Sequence, residues 1–134
     1  MNETARALIA AYYEAFNAGD AAAMLAMLAE DVRHDINQGA TETGRAAFAS
    51  FMDEMARCYR EQLSDIVILT DATGTRAAAE YVVHGTYLVA AEGLPPAHGQ
   101  KYVLPGGAFF CIADGKITRV TNYYNLPDWL AQVS

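Results

Sequence analysis

The chain has 134 residues, enough for one domain with a substantial core and too few for two ordinary ones. Its residues are 53% hydrophobic, yet no apolar run approaches the length of a membrane span, which points away from a membrane partner. A net charge of −7 with nine Lys and Arg leaves no basic patch, which argues against nucleic acid and anionic membrane surfaces.

The opening residues lack a signal peptide's pattern, so a cytoplasmic location is expected. Leu8, Tyr12 and Phe16 recur at four-residue spacing with Ile9 and Tyr13 beside them, which predicts an amphipathic helix over 4–18. Gly19 stops it, and Asp20 can cap a second helix over 21–29 with Met24, Leu25 and Leu28 as its apolar stripe. Residues 31–37 read as extended and lead into a loop over 38–44. Thr43 is a candidate cap for a third helix running to about residue 60, where Phe48, Phe51, Met52, Met55 and Tyr59 form one stripe and Asp53 can pair with Arg57.

Beyond Gln62 the pattern turns to strands, predicted over 63–69, 75–90, 101–113 and 116–124, with a closing helix over 125–133. Asp114-Gly115 is a strong hairpin signal. Counting from that turn pairs Ile112 with Ile117, Phe110 with Arg119, Ala108 with Thr121 and Gly106 with Tyr123. Both faces of this hairpin carry large apolar side chains. Helices can cover one face, and a second copy of the chain is expected on the other, giving a homodimer. Helices followed by an antiparallel meander form an α+β pattern, in which a pocket can open between the layers. Cys58 and Cys111 make no metal-ligand spacing and are read as buried free thiols.

Tyr12-Tyr13-Glu14-Ala15-Phe16-Asn17-Ala18-Gly19-Asp20, Gly85-Thr86, Gly93-Leu94-Pro95-Pro96 and Asp114-Gly115-Lys116-Ile117 resemble the nuclear transport factor 2-like superfamily. Within it they are most similar to the SnoaL-like polyketide cyclases and the ketosteroid isomerase-related proteins. The resemblance implies a cone-shaped, cystatin-like fold, with three N-terminal helices packed on a curved antiparallel sheet, an apolar pocket and a homodimer. By the same resemblance the isomerases' tyrosine falls on Tyr12 and their base on or next to Asp35. Their second acid would fall near Gly107 or Ala108, where there is no carboxylate. The cyclases' aspartate base falls on Asn125, and a neutral amide cannot serve as that base.

His34-Asp35 is the best chemical candidate in the residues themselves, an imidazole and a carboxylate in one short strand. Alternation puts Val32, His34 and Ile36 on one face and Arg33, Asp35 and Asn37 on the other. His34 then faces the pocket, and Asp35 does so only if the strand bulges. Tyr12 reads either as an oxyanion donor or as a core tyrosine. Phe51, Met55, Tyr102, Tyr123 and Asn125 are candidate pocket residues, Asn125 equally a helix cap. His84 is expected toward solvent or a partner, and His98 on an exposed loop. Scattered histidines and the lack of a Gly-rich phosphate loop lead us to expect neither a metal nor a cofactor. The function expected is a small cofactor-independent enzyme that abstracts a proton next to a carbonyl of an apolar molecule, as an isomerase or cyclase does. The alternative is a non-catalytic module that binds a small apolar ligand.

Overall fold

The computed structural model describes residues 2–134. Helix α1 spans Asn2–Ala18 and ends at Gly19, whose φ of 71° is one that glycine tolerates without strain. Asp20 then caps α2, its side chain accepting from the Ala23 amide at 3.0 Å. Helix α2 covers only Ala21–Ala26, shorter than the spacing predicts. Leu28, expected on its apolar stripe, instead opens strand β1 (Leu28–Asp35) and is fully buried. The Met27 carbonyl accepts from the Ile117 amide at 2.9 Å, so long-range pairing at Leu28–Ile117 ends the helix early.

Strand β2 (Thr41–Thr43) folds back on β1, which places Thr43 in a strand and not at a helix cap. Gly44, with φ 106°, occupies the cap position of α3 (Arg45–Cys58) without a side-chain bond. On α3, Arg57 pairs with Glu54 rather than with Asp53. The helix gives way at Tyr59 to β3 (Tyr59–Thr70), earlier than expected, followed by β4 (Arg76–Tyr87), β5 (Lys101–Ala113) and β6 (Lys116–Tyr124). Asn125 caps α4 (Leu126–Val133) by accepting from the Asp128 amide at 3.1 Å.

The six strands lie in the order β2-β1-β6-β5-β4-β3. All pairings are antiparallel except β1 on β6, which is parallel, so the sheet is mixed where an antiparallel one was expected. The hairpin turn lies at Asp114-Gly115, both with positive φ, as the sequence suggests. A bulge between Cys111 and Ile112 then shifts the register by one. Ile112 faces Ile117, but Phe110 faces Val120, Ala108 faces Asn122 and Gly106 faces Tyr124. The shift puts Phe110 and Val120, both at 1% exposure or less, on the same inner face.

That inner face curves around helices α1 to α3. Helix α1 packs on β3 and β4, α3 against β1, β2 and β3, and α4 on β5. Tyr12, Tyr13, Phe48, Tyr102, Leu104, Phe110 and Trp129 fill the layer between. The convex face is bare, with Val67, Leu69, Val103, Phe109 and Tyr123 all exposed. Among the described residues no helix is long and apolar enough to cross a membrane.

Candidate active site

Between the helices and the concave face lies a cavity of about 590 Å³. Most of its wall is apolar or aromatic: Phe16, Phe48, Phe51, Met52, Met55 and Leu104 among others. Such a wall excludes water and strengthens whatever polar interactions are left inside. Polar groups enter from three directions: Tyr12 on α1, His34 and Asn122 on β1 and β6, and Glu61 with Tyr102 on β3 and β5.

His34 points inward, as alternation predicts, and is 1% exposed. Its ring lies over Phe48 with centroids 4.4 Å apart and meets the edge of Phe51 at 4.6 Å. The Asn122 side-chain amide lies 3.4 Å from His34 Nε2. In that arrangement the amide donates, Nε2 keeps its lone pair and the proton resides on Nδ1. Nδ1 is buried without a partner, and so is Oε1 of Glu42, the residue directly across from His34 on β2. Burial lowers the pKa of His34, while Glu42 and Asp35 pull the other way. A neutral imidazole results, with an acid opposite it to steady a positive charge.

Asp35 faces away, and β1 does not bulge there to turn it inward. Its carboxylate accepts from Thr121 Oγ1 at 2.6 Å, Thr41 Oγ1 at 2.8 Å and Arg33 Nε at 2.9 Å. These bonds, that from Thr121 foremost, hold its pKa down to about 2. A carboxylate so satisfied is a poor base, and it lies outside the cavity. Asp35, on or next to which the isomerase resemblance places the base, is itself a structural tie between β1, β2 and β6.

Glu61 is a carboxyl within the cavity that the sequence reading passed over. It falls between the helix predicted to about residue 60 and the strand predicted from 63, whereas in the structure α3 stops at Cys58 and Glu61 points inward from β3. Tyr102 donates to its Oε2 at 2.5 Å, and the Trp129 ring packs edge-on against the Tyr102 ring with centroids 5.9 Å apart. Burial raises the pKa of Glu61 against the opposing pull of Tyr102. Gly85, opposite Tyr102 on β4, makes this possible: a Cβ there would lie 2.1 Å from the tyrosine ring. Gly106 admits the Tyr81 ring in the same way, and that ring packs against Tyr13 with centroids 5.4 Å apart. The cue available in the sequence was Gly85 and Gly106 inside strand patterns, a sign of close approach.

Tyr12, 5% exposed, packs edge-on against Phe110 and Tyr13. Its hydroxyl makes no hydrogen bond among the described residues, and burial raises its pKa, so it stays a protonated donor. Phe51, Met55 and Tyr102 line the cavity. Tyr123 and Asn125 do not: Tyr123 is 57% exposed on the convex face against Phe109, and Asn125 is used as the α4 cap. His84 is exposed and bonds Ser64 Oγ at 2.8 Å, and His98 is exposed on its loop. Neither touches the cavity.

Residues 9–120 match the family model described as a SnoaL-like domain. The chain belongs to the SnoaL-like domain family. Several solved structures share most of its sequence. A protein from Xanthomonas campestris pv. campestris, provisionally titled a polyketide cyclase, is 65% identical, with 99% of this chain and 98% of that one covered and a TM-score of 0.96. Another of the same provisional title, from Pseudomonas putida, is 64% identical over 95% of this chain and 96% of that one, at a TM-score of 0.94. A phenazine biosynthesis-related protein from Pseudomonas aeruginosa shares the fold at 18% identity, covering 98% of this chain and 86% of that one with a TM-score of 0.82. None of the curated proteins matches the chain significantly. Membership of the SnoaL-like family, with such relatives, supports an isomerase- or cyclase-type enzyme.

Proposed function

We propose that this SnoaL-like protein moves a proton next to the carbonyl of a small apolar molecule, without a cofactor, as the first step of an isomerisation or an aldol-type cyclisation. The observation that carries this reading is that an unpaired donor and an available base face one water-poor cavity. The donor is the Tyr12 hydroxyl, and the base is Nε2 of His34, held only by the long contact to Asn122. His34 takes the proton on Nε2. Glu42, across the strand pair, offsets the charge of the imidazolium that forms. Tyr12 donates to the enolate oxygen as negative charge develops there. Phe48 and Phe51 clamp the ring, so its orientation is set before the ligand arrives.

The test is deuterium exchange at the carbon next to the carbonyl of an aryl ketone such as tetralone, followed by NMR. Wild-type protein should speed the exchange. His34→Gln should slow it at least about a hundredfold, the lower end of what a general base contributes. Tyr12→Phe should slow it less. Full exchange in His34→Gln with folding intact would sink the assignment. Binding of the ketone without any exchange would favour a module that only sequesters its ligand.

A further inference from the structure

The proposed chemistry uses His34 and Tyr12 and leaves a second polar group in the cavity unemployed. Glu61 enters from β3, on the far edge of the sheet from the β1 strand that carries His34. It is partly buried, and among the described residues it makes no ion pair: the groups that act on it are the surrounding apolar wall and Tyr102. Oε2 is occupied by the Tyr102 hydroxyl, while Oε1 accepts no hydrogen bond among the described residues. The Tyr59, Tyr81 and Tyr124 side chains also line the cavity and lie within electrostatic range of this carboxyl. A carboxyl set against an apolar wall with one oxygen open to the cavity is available to a polar group that a ligand brings.

We infer that the Glu61–Tyr102 pair is a recognition subsite for a hydroxyl group at the end of the ligand remote from the reacting carbonyl. The inference rests on the reading of the cavity as the site of an apolar carbonyl compound. It narrows that class to hydroxylated ones, such as phenolic or alcoholic ketones. A hydroxyl suits the site because it both donates and accepts. It completes Oε1 whether Glu61 is ionised or protonated, whereas a second carbonyl bonds only to the protonated acid. The arrangement is also built rather than incidental. Gly85 clears the space for the Tyr102 ring, and Trp129 on α4 packs edge-on against that ring and holds it in place. Substrates lacking the hydroxyl leave Oε1 bare and are discriminated against, as sites with buried polar groups do.

Trp129 is the chain's one tryptophan, and its ring centroid lies 5.9 Å from that of Tyr102, so its fluorescence reports ligand at this end directly. The experiment titrates the protein with acetylnaphthalene and with its analogue hydroxylated on the distal ring, and follows quenching of Trp129. Wild type should bind the hydroxylated ketone about tenfold more tightly, equivalent to 1.4 kcal/mol. The double variant Glu61→Leu/Tyr102→Phe, which leaves neither partner orphaned, should bind both ketones alike, with circular dichroism confirming the fold. Should that variant not fold, the single change Glu61→Gln is read instead and should reduce the preference. Equal affinities in wild type, or a preference that survives in the variant, would overturn the inference while leaving the His34 chemistry standing. An amine-bearing analogue that binds more tightly than the hydroxylated one would overturn the hydroxyl class. Quenching by neither ketone would overturn both readings.

Discussion

The two faces of the sheet treat the same chemical group in opposite ways. Asp35, off the cavity, is surrounded by donors and held ionised, its pKa down to about 2. Glu61, on the concave face, has one donor and an apolar wall, and its pKa rises. The first carboxylate stabilises the fold because its charge is met three times over. The second costs stability because its charge is met once. Hydration and hydrogen bonding, not residue type, decide which carboxyl is structural and which is available to a ligand. The hydrophobic residues divide in the same way. Phe110 and Val120 seal the concave side, while Phe109 and Tyr123 stand exposed on the convex one.

The largest expected effect lies on the convex face. A sheet face with Val67, Leu69, Val103, Phe109 and Tyr123 exposed is expected to be covered by a second copy. Analytical ultracentrifugation at micromolar concentration should then give twice the 14.5 kDa chain mass, and Phe109→Asp should halve it. A wild-type monomer would show that both faces do not need cover. On the concave face, Gly85→Ala places a Cβ 2.1 Å from the Tyr102 ring and should destabilise by about 3 kcal/mol, as severe overpacking does. Its thermal midpoint should fall by roughly ten degrees. An unchanged midpoint would mean that Tyr102 does not need this cradle.

The two carboxyls give the finer tests. Asp35 has a depressed folded pKa, so its contribution is present above pH ~4 and is lost as the pH falls toward about 2. Asp35→Asn should cost on the order of 1 kcal/mol at neutral pH, solvent around Arg33 reducing the figure, and should flatten the acid limb of the stability curve. Glu61 has a raised folded pKa, so stability falls as the pH rises from the ordinary carboxylate range through that raised value. Glu61→Gln keeps an acceptor for Tyr102 and should be more stable than wild type at neutral pH by something under about 1 kcal/mol. Urea denaturation across the pH range separates the two. Parallel behaviour of both variants would erase the contrast between the faces.

Much of this was legible in the amino-acid sequence. Leu8, Tyr12 and Phe16 at helical spacing predict α1. Asp114-Gly115 marks the hairpin, and β5 and β6 begin and end where the pattern predicts. Local chemistry is enough there, because turn residues and periodicity act within a few positions. Alternation also put His34 inward and Asp35 outward, and β1 keeps to it. The cyclase-like fold class followed from motifs spread along the chain, which the SnoaL-like match over residues 9–120 supports.

What only the tertiary structure decided depends on partners distant in sequence. Leu28 leaves its helical stripe because Ile117 is there to pair with it. Tyr59 leaves its stripe, and Glu61 joins the strand, because β4 offers Tyr87 and Gly85 across the ladder. One bulged residue, Thr118 opposite the Cys111–Ile112 step, reassigns every cross-strand neighbour of the hairpin beyond it, since a strand's side-chain period is two and a slip of one exchanges the faces. Glu61 became a cavity carboxyl only when Gly85 let Tyr102 lie across it, and neither residue is near the other in the chain. Propensity acts over a turn or a pair of positions, but the environment of an ionisable group is set by whatever the fold brings beside it.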